Sequence, residues 1–154
     1  MGRFYTVSFT SIAQPAATQD YFEILTPAAN SVIIHSIRIA QSSEEGDAQA
    51  EMLPIQIARI PTGTDSGSGG TAATPAPTVP GDVAGTTVET NNTSAATNPT
   101  VVLGDAWNVQ VGWLYQPTPE ERIELGGAER IAVQSADPAD AMTVSGSMTF
   151  EEIG

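Results

Sequence analysis

The chain has 154 residues, no cysteine, no lysine, and 18 acidic residues against five basic ones, all arginine, for a formal net charge of −13. That length allows one domain with a core that needs no disulfide or metal, and the missing thiols exclude disulfide staples, thiolate metal sites and cysteine chemistry. The acidity works against nucleic acid and anionic membranes, because affinity for both comes from cations. It suits solubility through mutual repulsion or attraction to a basic protein surface.

The opening stretch MGRFYTVSFTSIAQ has no apolar core of signal-peptide length, and no run anywhere approaches the roughly 18 apolar residues of a membrane span. Within it RFYTVSFT places Tyr5, Val7 and Phe9 on one face, the period of a strand. DYFEILT (Asp20–Thr26) pairs Phe22 with Ile24 in the same way. SVIIHSIRIAQ sets Ile33, His35, Ile37 and Ile39 against Ile34, Ser36, Arg38 and Ala40, which predicts a buried, hydrogen-bonded His35. SSEEGDAQAEM (Ser42–Met52) is the one stretch compatible with a helical turn, and Gly46 argues against even that. Its acids Glu44, Glu45, Asp47 and Glu51 lack the alternate spacing of an EF-hand loop, so a solvated acidic turn is expected. MLPIQIARI puts Leu53, Ile55 and Ile57 on one face, with Pro54 marking a strand start or a sheet edge.

About forty residues of Gly, Ser, Thr, Ala, Pro and Asn then intervene, among them GTDSGSGGTAATPAP (Gly63–Pro77). A phosphate loop is excluded there: no lysine exists to follow the glycines, and after Gly67 and Gly69 the third position of GxGxxG is Ala72. NNTS (Asn91–Ser94) holds glycosylation sequons that carry no weight without an export signal. Apolar alternation returns in AWNVQVGWLYQ, where Trp107, Val109, Val111, Trp113 and Tyr115 share a face that reads as core. RIEL and RIAVQS are divided by Gly126-Gly127, a hairpin-like signal. AMTVSGSMTF alternates most cleanly, with Met142, Val144, Gly146, Met148 and Phe150 against Thr143, Ser145, Ser147 and Thr149.

About eight strands, each with one apolar face, predict an all-β antiparallel sandwich, with the strand number of a jelly roll. Four strands on either side of the Gly/Ser/Thr segment would each leave an apolar face wet, so the two halves are read as one domain over 1–154. Residues 61–100 then form a long arm inserted between the halves, too polar to build its own core and ordered only by a partner surface. The contact residues expected on it are Gly63, Thr64, Asp65, Ser66, Gly67, Asn91 and Asn92.

Parts for catalysis are scarce. His35 is the sole histidine, and no GxSxG nucleophile elbow accompanies it. The pairs Glu120/Glu121 and Glu151/Glu152 are adjacent, so on a strand each would point to opposite faces rather than share a proton. No enzyme activity and no cofactor are expected.

Four stretches, VSFTSIA (Val7–Ala13), GDAQAEMLPIQIAR (Gly46–Arg59), QPTPEERIEL (Gln116–Leu125) and SGSMTFEEIG (Ser145–Gly154), resemble small virion proteins encoded by tailed bacteriophages and prophages. Among characterised kinds the chain is most similar to capsid decoration, or cement, proteins with β-sandwich folds. The resemblance implies a structural virion protein, made in the host cytoplasm, that binds the outer head surface and stabilises capsomer contacts. Its implied partners are the major capsid protein and its own copies in a homotrimer. Two further readings stay open: a tail or head-fibre component contacting the host, and a TNF/C1q-like or carbohydrate-binding sandwich.

Overall fold

The structure, a computed structural model, describes residues 2–43 and 51–154. The acidic residues Glu44, Glu45 and Asp47, and with them the helical-turn reading, lie outside the described residues. Among the described residues there are twelve strands: β1 (Arg3–Gln14), β2 (Gln19–Leu25), β3 (Ser31–Gln41), β4 (Met52–Ile60), β5 (Thr71–Ala73), β6 (Ala76–Pro77), β7 (Thr87–Asn92), β8 (Thr100–Asn108), β9 (Trp113–Tyr115), β10 (Glu124–Leu125), β11 (Arg130–Ser135) and β12 (Met142–Ile153).

They form two six-stranded antiparallel sheets. Sheet A runs β10-β3-β12-β1-β6, with β9 also on β3; sheet B runs β5-β7-β2-β11-β4-β8. With β5, β6, β7 and β10 set aside, the order β1-β12-β3-β9 in one sheet is matched by β2-β11-β4-β8 in the other. That is the eight-strand, two-sheet order of a jelly roll. The expected fold class is therefore present, enlarged by three strands that the polar middle segment supplies and by the division of the AWNVQVGWLYQ run between β8 and β9.

One apolar core lies between the sheets. β12 contributes Met142, Val144, Met148 and Phe150, and β1 contributes Tyr5, Val7 and Phe9, as alternation predicts. Gly146 sits where an added Cβ would stand 2.8 Å from two ring carbons of Phe9 and 2.9 Å from Ile39 Cδ1. Trp107, Trp113 and Tyr115 belong to this core, their polar ends tied to Ser135 Oγ, Asp105 Oδ2 and the Glu121 carbonyl. Asp105 is held below the usual carboxylate range, first by the Trp113 indole N–H.

Several expectations need correction. AWNVQVGWLYQ is not one strand: β8 ends at Asn108, the chain turns with Gly112 at φ 89°, and β9 joins the opposite sheet. Val111, at the tip of that turn, is 82% exposed rather than buried. Nor do RIEL and RIAVQS form a hairpin, since β10 pairs with β3 and β11 pairs with β2 and β4. Gly127 instead lets the chain pass Ala28, whose carbonyl carbon lies 2.8 Å from where a Gly127 Cβ would stand. Pro54 neither starts β4 nor marks an edge, for the strand begins at Met52 and lies between β11 and β8. Glu120 and Glu121 lie on a 3-10 turn, not a strand.

His35 is also misplaced by simple alternation. The β3–β12 register slips between Thr149 and Phe150, leaving His35 as the extra residue. Parity resets there, so Val32 and Ile34 point inward before the bulge and Ile37 and Ile39 after it. His35 stands on the outer face of sheet A, its Nε2 3.0 Å from Glu151 Oε2 and its ring 5.0 Å from that of Phe4.

The largest correction concerns residues 61–100. They are not an arm waiting for a partner. β7 sits between β5 and β2 in sheet B, β6 extends sheet A beside β1, and the flanking loops return across the outer face of sheet B. The surface that orders this segment is the domain's own.

Candidate functional site

The outer face of sheet B is where this order originates. A register slip between Val133 and Gln134 makes Tyr21 an extra residue in β2. Asp20 and Glu23, three apart, consequently share the outer face while Tyr21 and Phe22 both enter the core. Glu23 has a side chain only 1% exposed. Its Oε1 accepts from Arg130 Nη1 and Ser66 Oγ, and its Oε2 accepts from Gly67 N at 2.8 Å and Asn92 Nδ2 at 3.2 Å. Arg130 Nη1 also donates to Ser66 Oγ at 2.9 Å. A buried carboxylate with four donors is a satisfied one.

Asp20 is less well placed. Its Oδ2 accepts from Ala96 N at 2.8 Å, but its Oδ1 is buried without a hydrogen-bond partner. Burial pushes its pKa up to about 6; the Ala96 N–H and then the Gln134 amide pull it down, the Glu23 charge raises it, and the Asn92 amide lowers it. The return loop is tied down further by Gln134 Nε2, which donates to the Ala96 carbonyl at 2.9 Å, while Gln56 Nε2 donates to Gln134 Oε1 at 2.8 Å. A small apolar cluster of Ile60, Ala96 and Ala132 closes the contact. Residues 61–99 thus form a strap clipped to sheet B at Glu23 and Asp20.

The contact residues expected from sequence divide accordingly. Ser66, Gly67 and Asn92 are hydrogen-bonded to Glu23 and so clip the strap; Asn92 is buried, while Ser66 and Gly67 stay partly exposed. Asp65 closes a 3-10 turn, accepting from Thr62 Oγ1, from Asn98 Nδ2 at 2.6 Å and from Thr97 Oγ1 at 3.3 Å. Those hydrogen bonds, the Thr62 hydroxyl first, lower its pKa. Gly63 and Thr64 remain exposed, and Asn91, at φ 58°, lines a groove described below. Sequence reasoning missed Asp20, Glu23, Arg130 and Gln134. Their signal was two acids set three apart within DYFEIL and an arginine opening an otherwise uncharged strand.

Gly67 shows how tightly the strap sits. A Cβ there would overlap Asp20 Oδ2 and stand 2.7 Å from Asn92 Nδ2 and 2.9 Å from the Ser94 carbonyl. Gly67→Ala is expected to destabilise the protein by about 1–3 kcal/mol, the usual cost of overpacking, and thermal melting of the two proteins side by side measures it.

A second carboxylate, Glu152 on the inner side of β12, clips the middle of the same segment. It accepts from Thr86 N at 2.8 Å, from Thr86 Oγ1, from Gly85 N at 3.2 Å and from Asn30 Nδ2 at 3.0 Å. Burial alone would raise its pKa, but these hydrogen bonds, Thr86 foremost, win and lower it.

Two open surfaces bear on function. β8 closes sheet B and among the described residues its partner strand is β4 alone, so its outer edge is free over residues 100–107, with Val101 50% and Val102 44% exposed. On the opposite side, a groove of about 520 Å³ runs between β1 and β5. For chemistry the described residues offer little: His35 pairs with Glu151 rather than a hydroxyl, and no group of three or more His, Asp or Glu side chains is placed to hold a metal. No family model, curated protein or solved structure matches this chain.

Proposed function

We propose that the chain is a structural virion protein of a tailed phage, a capsid decoration protein seated on the outer head surface where it stabilises capsomer contacts. The observation that carries this reading is the β8 edge. A strand edge left open over residues 100–107, with two exposed valines and no proline, is a surface that folded proteins normally cover. Three copies closing around an axis would bury such edges, which is the form of the proposed homotrimer. The charge of −13 adds a preference for basic patches on a shell of major capsid protein, with association slowing as salt rises.

An electron-microscopy map of the particle tests this. Hundreds of copies on the head support decoration; a handful at the tail or on fibres would replace it with the host-contact reading, and absence from the particle would sink both. The edge has its own test. Replacing Val101 and Val102 together by Asp should weaken retention on stripped capsids at least tenfold. Exposed substitutions of this kind shift stability by only about 0.5 kcal/mol each, so melting should change little. Unchanged retention would remove β8 from the contact.

A further inference from the structure

We infer that the groove between β1 and β5 is a binding site for an extended, uncharged peptide segment of another protein. This goes beyond the virion reading and does not depend on it. β1 pairs with β12 along one edge, but on its other edge it meets β6 only at Tyr5 and Thr6. Among the described residues, that edge has no partner strand beyond Thr6. The reason is local: Pro75, next in line after Ala76, has no N–H to give, and the chain there leaves sheet A for sheet B, where Thr71–Ala73 pairs with β7. β5 is itself the terminal strand of its sheet. Two free strand edges, one from each sheet, therefore border the same groove of about 520 Å³.

Gln19 also lines this groove and supplies an independent sign of a ligand. The residue is 1% exposed, and among the described residues neither Oε1 nor Nε2 has a hydrogen-bond partner. An unpaired buried carboxamide is costly, because both its donor and its acceptor have left water. The group that answers one acceptor and one donor side by side is another amide, the CO–NH of a main chain. A strand laid along β1 would present such amides both to the unpaired edge and to Gln19, the geometry of β-strand addition.

Charge narrows the occupant. No charged side chain lines the groove; its walls are Thr, Ser, Ala, Gly, Asn and a few apolar groups. A peptide bearing Asp, Glu, Lys or Arg would lose water there without gaining a partner. This chain's own uncharged stretches are already built into the fold, the Gly/Ala/Thr strap against sheet B and the apolar runs within the two sheets; even β8, with one free edge, is held in place by β4. The occupant is therefore assigned to a different protein.

The probe is the capped peptide acetyl-Thr-Val-Thr-Val-Thr-amide, titrated into isotope-labelled full-length protein and followed by NMR. Saturable shifts of the Gln19 side-chain NH2 and of the Thr10–Ala13 amides are expected at about millimolar peptide, the weak end of specific binding. Gln19→Leu should weaken binding at least tenfold. Should that variant fold poorly, the same peptide N-methylated at alternate residues serves on the unaltered protein and should not bind. No shift at saturating peptide would overturn the proposal. So would equal binding of the methylated peptide, which would show mere side-chain adhesion. Shifts of these resonances with protein concentration alone would also overturn it, by placing a second copy in the groove.

Discussion

Glu23→Ala should be the most damaging single substitution on the outer face of sheet B. It removes the acceptor of four hydrogen bonds and leaves the Arg130 guanidinium, 19% exposed, facing a vacated site. Breaking a buried pair by deleting one partner costs about 3–5 kcal/mol, mostly from the charge left behind. Replacing both members, Glu23→Leu with Arg130→Met, should recover a large part of that loss, because no charge is then stranded. The strap should respond more than the core. In Glu23→Ala, limited proteolysis should begin between Thr62 and Asn98 while the β12 core still melts cooperatively. In the wild-type protein the same segment should resist. Equal proteolysis of the two proteins would mean that Glu23 does not hold the strap.

Asp20→Asn should act in the opposite direction and reveal itself through pH. The folded-state pKa of Asp20 is about 6 against an ordinary 3.8, so folding favours the protonated form. Its stabilising share is complete below about pH 4 and is lost as pH rises through 6. By linkage the difference of roughly two units amounts to about 3 kcal/mol at neutral pH. Wild-type protein should therefore gain stability as pH falls from 7 to 5. Glu152 and Asp105, whose pKa values are lowered, work the other way: their contributions disappear only as pH falls through the carboxylate range. The result is a maximum between about pH 4 and 6. Relief of the −13 self-repulsion also favours acid, so the variant is the needed control. Asn keeps an acceptor for the Ala96 N–H and carries no charge. Asp20→Asn should be more stable than wild type at pH 7, by up to about 10 °C in Tm for a domain of this size, and the two should converge near pH 4. Parallel curves for both proteins would show that Asp20 does not control the effect.

Most of the sandwich was legible because most of it obeys strict alternation. β12 and β1 place every expected residue inward, and Leu53, Ile55 and Ile57 do the same in β4. What alternation could not show were the insertions of single residues. Tyr21 and His35 each sit at a register slip, and each reverses the faces that follow. The slip at Tyr21 matters most, since it brings Asp20 and Glu23 to one face and so creates the anchor for the strap. A change of sheet inside an unbroken apolar pattern is equally silent, which is why β8 and β9 read as one strand.

The strap itself was misread for a physical reason. Composition shows that residues 61–100 cannot build a core, and this holds: only a few of their side chains are buried. Composition does not show that order can come from hydrogen bonds to carboxylates buried 44 and 76 residues upstream, as Gly67 to Glu23 and Ala96 to Asp20 demonstrate. The groove beside β1 was hidden for a similar reason. Gln19 lies in the polar stretch TQDY, and nothing in sequence distinguishes a solvated amide from one buried without a partner.

The most direct measurement of the strap is native-state hydrogen exchange resolved at Gly67 and Ala96. Their N–H groups are bound to buried carboxylates on sheet B, so both should exchange only through the opening that also exposes the β2 and β11 amides. Protection within about tenfold of those strands is the expected result, lost at Gly67 in Glu23→Ala. Exchange of Gly67 and Ala96 at the rate of an unstructured peptide, with β2 and β11 still protected, would contradict it and return residues 61–100 to a free arm.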